Sequence, residues 1–336
     1  MILENRKTFA PTLVLLVSLV TVCAAVSLAP SVRAADVTVT VWLNDSSNNG
    51  LNGGVVEYLY GSWLSFGTTG DTGTGYVTKN LPSGNYAFRM DYGNARNEKW
   101  QNVGTNPTVV FQTVLVTVEL RDHGGNLLNG GGTVSYYYWS WKTFGSGSTS
   151  GGQVSMELLP NNYCFRMDYN NARNEKWQNV GTNPTVVFQT GKVTLQFSGG
   201  IQYYYWSWNT FTKPSMELLP NAYYFRFNGY QTSLTVNAGD DIKLSFVVIK
   251  LLSSKGSGIA GGTAQYYNGG WKNIPGGTGS DGVLLYGIPG IVPSTYISMN
   301  YAYARQEKGP LNIASNSYVT FQTAKVTVEL KDSTGA

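Results

Sequence analysis

The segment Val116-Thr117-Val118-Glu119-Leu120 alternates apolar and polar residues. Val116, Val118 and Leu120 therefore share one face of an extended chain, and Thr117 and Glu119 the other. A two-residue period marks a strand with one buried side. RDHGGNLLNGGG (121–132) breaks the pattern with turn residues. TVSYYYWSW (133–141) reads as a second strand. GSGSTSGGQ (145–153) is a turn, and VSMELL (154–159) a third strand. After Pro160-Asn161-Asn162 comes YCFRMDY, with Tyr163, Phe165, Met167 and Tyr169 on one face and Arg166 and Asp168 on the other. NEKWQNV and PTVVFQT close the unit. Short strands separated by turn clusters at this spacing predict an all-β, antiparallel β-sandwich, and no segment has a strong helical period.

The unit recurs. NARNEKWQNVGTNPTVVFQT stands at 94–113 and again, unchanged, at 171–190. VTVWLND (39–45), VTVELRD (116–122) and VTVELKD (326–332) align, as do YYYWSWKTF (136–144) and YYYWSWNTF (203–211). Self-similarity at a fixed period is the signature of a tandem array. Repeats are expected over 36–113, 114–190 and 242–323. A shortened third repeat, over 191–241, lacks the ARNEKWQNV sequence. The first strand of an incomplete fifth repeat is expected over 324–336. An unchanged copy points to recent duplication, so its identity is no measure of functional constraint. The diverged fourth repeat keeps Tyr301, Arg305, Glu307 and Lys308 at the places of Tyr169, Arg173, Glu175 and Lys176.

Residues 1–34 read as a signal peptide: Arg6 and Lys7, an apolar run from Leu13 to Val26, and VRA before the expected cleavage after Ala34. The alternative is a retained anchor, for which the run is short. No later stretch is long and apolar enough to span a membrane, so the expected location is extracellular or cell-surface. Removing three basic residues and one acidic residue from the totals of 23 and 19 leaves 20 and 18. That balance, with no Lys/Arg cluster, speaks against nucleic acid. Cys164 is the sole cysteine after residue 34, so no internal disulfide is expected. Charged residues are 12% and aromatics 13%, a composition suited to strands and tight turns.

The pattern V-x-V-x-L-x-D, then G-x-x-L-x-G-G-x-V, a Gly turn and L-P-x-x-x-Y-x-F-R resembles the carboxypeptidase-regulatory-like and collagen-adhesin B-type repeats. The resemblance implies transthyretin-like or Ig-like sandwiches used as secreted or cell-surface spacers and binding modules. Some adhesin repeats of this kind carry a Lys–Asn isopeptide bond. Here the last strands TVVFQT and YVTFQT hold no Asn and Leu115 stands at the lysine position, so none is expected.

Catalytic chemistry finds little support. His123 is alone in a Gly-rich turn, whereas triads and metal sites need convergent groups. Asp45 and Asp122 sit in first turns without the carboxylate density that calcium requires. The Gly runs lead into strands and lack a phosphate-holding Lys. No cofactor, metal site or enzyme activity is expected. Arg173, Glu175 and Lys176 read as a charged edge that discourages sheet-to-sheet pairing, with an inter-repeat salt bridge as the alternative.

The aromatic strand is the candidate binding site. If VSYYYWSW is one strand, Val134, Tyr136 and Tyr138 face the core. Tyr137, Trp139 and Trp141 then form an outward row, repeated as Tyr204, Trp206 and Trp208. Planar rings with polar handles suit a sugar platform; the alternative is that neighbouring structure covers them. The sequence therefore predicts a non-enzymatic exported structural or adhesive module, with carbohydrate binding as the rival reading. Expected partners are a polysaccharide or another surface protein, or self-association through the C-terminal strand.

Overall fold

The computed structural model describes residues 35–195, 200–227, 230–289, 294–313 and 318–335. The expected signal peptide lies outside them. Among the described residues every regular element is a strand, and none of them forms a helix long and apolar enough to cross a membrane.

The first set of strands is β1 (Asp36–Asn44), β2 (Val55–Tyr60), β3 (Ser62–Thr68), β4 (Tyr76–Pro82), β5 (Asn85–Tyr92), β6 (Ala95–Asn102) and β7 (Thr108–Gln112). They form a three-stranded sheet, β4-β1-β7, and a four-stranded sheet, β3-β2-β5-β6. The second set is β8 (Val114–Arg121), β9 (Thr133–Tyr137), β10 (Trp141–Ser148), β11 (Gln153–Leu158), β12 (Asn162–Tyr169), β13 (Ala172–Asn179) and β14 (Thr185–Gln189). It repeats the plan as β11-β8-β14 and β10-β9-β12-β13, with β8 and β14 parallel. The parallel pair is the one departure from the expected antiparallel pairing within this set.

The third set is β15 (Gly191–Leu195), β16 (Gln202–Tyr204), β17 (Trp208–Thr210), β18 (Ser215–Leu218), β19 (Asn221–Phe227) and β20 (Tyr230–Val236). Strand β20 pairs with β19 along its whole length and occupies the place that β13 holds beside β12. Loss of the ARNEKWQNV sequence has therefore not removed a strand. YQTSLTV supplies one, because alternating Thr and Leu suit a pleated edge as well.

Strand β21 (Asp241–Leu252) runs for twelve residues. It pairs in parallel with β15 over Asp241–Leu244 and with β27 (Tyr318–Gln322) over Val248–Leu252. One strand thus serves both the third and the fourth sets, within a single five-stranded sheet. The last set is completed by β22 (Thr263–Tyr267), β23 (Trp271–Asn273), β24 (Val283–Pro289), β25 (Thr295–Tyr301) and β26 (Ala304–Leu311).

Residues 324–335 form no strand, contrary to the expected first strand of a fifth repeat. Their alternation is correct, but no strand among the described residues pairs with them, and a strand is unstable without a partner.

The core follows the alternation. Val116, Val118, Leu120, Phe165 and Met167 are fully buried, as are Phe144 and Val134. Phe165 meets Phe144 edge-on with centroids 5.6 Å apart, and Tyr163 lies 6.1 Å away. Each such pair adds about 0.5–1.5 kcal/mol beyond its burial. Tyr86, Tyr163 and Tyr223 each donate their hydroxyl to the carbonyl four residues back, at Pro82, Leu159 and Leu219. This corner pins the turn that enters β5, β12 and β19. Burial pushes the Tyr163 and Tyr223 phenols far above their usual range, so both remain donors.

By internal contacts the chain divides into two units. One comprises residues 35–44, 49–91 and 98–111; the other comprises 45–48, 92–97 and the described residues from Gln112 onward. Within the second unit a single apolar cluster runs from Ala95 and Val116 through Phe165 to Tyr203, Phe225 and Phe246.

Candidate functional site

TVSYYYWSW is not one strand. β9 ends at Tyr137, the chain reverses over Tyr138-Trp139-Ser140, and Trp141 opens β10 opposite Tyr137. The predicted row of Tyr137, Trp139 and Trp141 is therefore a cross-strand pair plus a turn residue. Tyr137 and Trp141 rings sit 5.5 Å apart. Trp139 lies on the turn, against Tyr138 at 4.9 Å, and is 52% exposed. The third repeat copies this arrangement. Tyr204 and Trp208 are 5.2 Å apart, and Trp206 lies against Tyr205 at 4.8 Å and is 57% exposed.

The strand tryptophans carry an arginine on one ring face. Arg166 lies 3.6 Å from the Trp141 centroid and Arg226 4.1 Å from that of Trp208. Arg89 over Trp63 and Arg305 over Trp271 repeat the motif. Each guanidinium attracts the negative face of its ring. The turn tryptophans are met from a different hairpin. Arg173, at the start of β13, lies 4.7 Å from the Trp206 centroid, and Arg96 lies 5.3 Å from that of Trp139.

Those contacts belong to a larger set around Glu217 of β18. Its carboxylate accepts from the His123 backbone N–H at 3.1 Å, sits 2.8 Å from His123 Nδ1, and accepts from the fully buried Thr190 hydroxyl. Asn221 Nδ2 and the Tyr205 hydroxyl both donate to the Arg173 carbonyl, at 3.0 and 3.3 Å. The Tyr203 hydroxyl donates to Asn170 O at 3.2 Å. Arg173 is itself held by Asp168, Nε to Oδ1 at 2.6 Å.

The same set surrounds Glu157 of β11, made to segments 45–48 and 92–97 of the second unit. Glu157 accepts from the Ser46 and Thr113 hydroxyls. Asn161 Nδ2 donates to Arg96 O at 3.0 Å, and the Tyr136 hydroxyl to Gly93 O at 2.9 Å. Burial raises the Tyr136 and Tyr203 phenols as well, which keeps them protonated as donors.

The chain's internal variation follows these contacts. Where the turn tryptophan is absent, Gly61 (φ +73°) and Gly269 (φ +65°) take its place. The first repeat also has Asn80 and Gly84 where the second has Glu157 and Asn161. His123, which the sequence offers only as a lone turn residue, is a member of the joint. Arg173 is neither a merely solvated edge nor an inter-repeat ion pair: its charge is met by Asp168 on the same hairpin, and its flat face meets Trp206. Glu175 pairs with Arg166. Trp177, 65% exposed on the β13 edge, escaped notice because NEKWQN lacks a clear alternation.

Beside this joint lies a cleft of about 360 Å³ lined by Asp168, Asn170, Asn171, Arg173, Trp206 and Ser207. Among the described residues no group of three or more His, Cys, Asp or Glu could hold a metal ion. Cys164 is buried, and burial with the neighbouring Glu175 charge pushes its thiol upward, away from the reactive thiolate.

No known family matches the chain, and no curated protein matches it. Solved structures do. The Bacillus anthracis TIE protein matches at 14% identity with a TM-score of 0.23, over 86% of this chain and 51% of that one. The pilus adhesin SpaC from Lactobacillus rhamnosus GG matches at 10% identity and 0.22, over 86% and 43%. BcpA, the major pilin subunit of Bacillus cereus, matches at 9% identity and 0.21, over 86% and 99%. The chain thus spans about half the length of the first of these and less of the second.

Proposed function

We propose that the chain is a non-enzymatic, cell-surface structural or adhesive module of carboxypeptidase-regulatory-like, collagen-adhesin B-type repeats, exported by its N-terminal segment. The observation that carries this reading is the doubled joint around Glu157 and Glu217. Its hydrogen bonds and ring contacts tie one sandwich to the next segment of chain, so the Glu, Asn, Tyr and Trp side chains that vary between repeats serve packing of the array. Such a device suits a protein that bears load or presents a surface. Antibody labelling of intact cells producing the full chain is expected to stain the cell exterior. Signal obtained only after permeabilisation would overturn the assignment.

A second reading, carbohydrate binding, draws on the cleft beside Trp206. It combines an exposed ring with Asp168, Asn171 and Ser207, the mixture of apolar face and polar edge that a sugar requires. Of the six rings that the sequence offers, Trp206 lines this cleft; Tyr204 and Trp208 pair on the same hairpin, and Tyr137, Trp139 and Trp141 form the matching group of the second repeat and are not part of its lining. On this reading tryptophan fluorescence of the full chain shifts saturably with a cell-wall polysaccharide, and Trp206→Ala abolishes the shift. An unchanged titration in the variant removes the site.

A further inference from the structure

The outer face of each four-stranded sheet carries a line of rings that the joint does not use. In the second repeat Tyr163, Phe165 and Met167 of β12 are buried in the core, so Cys164 and Arg166 lie on the other face. The strand registers place Trp141 opposite Tyr137, Tyr137 opposite Cys164, and Cys164 opposite Trp177. One row thus crosses all four strands, a span of about 14 Å at the usual strand spacing. Two residues along the strands a polar row runs beside it, made of Thr143, Ser135, Arg166 and Glu175. The third repeat has the same two rows. Trp208, Tyr204 and Tyr224 form the first, and Thr210, Gln202, Arg226 and Gln231 the second.

The way the row varies separates it from packing. In the first two repeats the edge position is a tryptophan, Trp100 and Trp177, 70% and 65% exposed. The neighbouring strand there offers only Ala87 or Cys164, both small and buried. In the third repeat Ser233 stands at the edge, and the ring moves one strand inward, to Tyr224. In the fourth Gly309 stands at the edge, against the ring of Tyr296, which holds the position of Cys164. Tyr224 and Tyr296 are both exposed. Trp100 and Trp177 belong to the unchanged copy and count once, but Ser233 with Tyr224 and Gly309 with Tyr296 are two different replacements. A buried position fixes volume at one place. This row instead keeps an exposed ring while its place shifts. Contiguous exposed apolar groups rimmed by polar ones mark a binding surface.

The polar groups select the ligand. Arg166 is stacked on Trp141 and paired with Glu175 at 2.7 Å. Arg89 lies over Trp63 and is paired with Glu57, and Arg305 lies over Trp271 and is paired with Glu307 at 2.9 Å. In the third repeat Gln202 Oε1 accepts from Arg226 at 2.6 Å. Charges engaged in this way favour a neutral partner. The row also mixes a donor-only guanidinium, an acceptor-only carboxylate and the hydroxyls of Thr143 and Ser135. A proline-rich peptide could lie on the rings, but it brings carbonyl acceptors without N–H donors. Neighbouring sugar hydroxyls both donate and accept, and a pyranose lays its apolar face on a planar ring. We propose that these sheet faces bind a neutral polysaccharide whose equatorial linkages keep successive pyranose rings in one plane. The rings of the glycan lie along the aromatic row and its hydroxyls reach the polar row. The site is separate from the cleft beside Trp206: Asp168 of that cleft is four residues from Cys164, about 14 Å along the strand. It goes beyond both readings of the function given above and depends on neither.

Isothermal titration calorimetry of the full chain with cellohexaose, xylohexaose and chitohexaose tests this. Saturable heat is expected with at least one of them. Trp100→Ala combined with Trp177→Ala should weaken that binding about tenfold, the usual cost of truncating an aromatic anchor. Adding Tyr224→Ala and Tyr296→Ala should abolish it. All four side chains are exposed, so the variants keep their sandwiches, which circular dichroism would check. No heat with any of the three oligosaccharides overturns the proposal, as does equal binding by the folded fourfold variant. Binding that Trp206→Ala removes and the fourfold variant retains would give the sugar to the cleft and overturn the sheet-face site alone. A polyproline peptide that binds where the oligosaccharides do not would give the rings to a different partner and overturn it too.

Discussion

Phe165→Ala is expected to lower the stability of the second unit by about 3–5 kcal/mol, the usual cost of emptying a fully buried aromatic site. Phe165 has no exposed surface and contacts both Phe144 and Tyr163. Its loss removes two ring pairs and leaves a void that strands hydrogen-bonded on both sides cannot close. Because one apolar cluster joins the second and third repeats, the damage should not stay local. Urea denaturation followed by tryptophan fluorescence should show the shared transition moving as one. Phe225→Ala, at the matching position of the third repeat, should move the same transition by a similar amount. A shift confined to one of two separable transitions would mean that the cluster does not couple the repeats.

Glu217→Ala should separate what Phe165→Ala moves together. The substitution removes the acceptor of the part-buried His123 N–H, while the Thr190 hydroxyl keeps the Arg121 carbonyl at 3.1 Å. An unpaired donor of this kind costs about 1–3 kcal/mol, so a loss of about 1–3 kcal/mol at the joint is expected. The side chain is 16% exposed, so water compensates little. Glu217→Gln keeps one acceptor oxygen and should lose roughly half as much. The expected record is a broadened or two-step denaturation for Glu217→Ala and a single, slightly shifted step for Glu217→Gln. An unchanged single step in both would show that apolar packing alone couples the repeats.

The sandwich was legible because its strands alternate cleanly and its turns carry Gly, Asn and Pro. YCFRMDY places Tyr163, Phe165 and Met167 inward in the sequence and in the structure alike. The reversal at Tyr138-Trp139-Ser140 was not legible from that stretch, which has no Gly, Asn or Pro in it. The signal lay in the other repeats, where Gly61 and Gly269 occupy the Trp139 position with positive φ. The joint was hidden for a related reason. Its members are ordinary polar residues far apart in sequence, such as His123 and Glu217. What marks them is that Glu157 and Asn161 recur as Glu217 and Asn221 while the first repeat has Asn80 and Gly84. Residues 324–330 show the opposite failure. Their pattern is right for a strand, but pairing is a tertiary property that alternation does not report.

Strand β21 has a mechanical consequence. Between the second and third sets the chain passes from β14 to β15 through Thr190 alone, but between the third and fourth there is no connecting residue at all. A pull along the chain meets one continuous strand, clamped in shear by β15 at one end and by β27 at the other. Tension cannot extend a tether there before it loads the hydrogen bonds. The two sets, joined in one five-stranded sheet, must therefore share the force, and whichever yields first frays the edge of its neighbour.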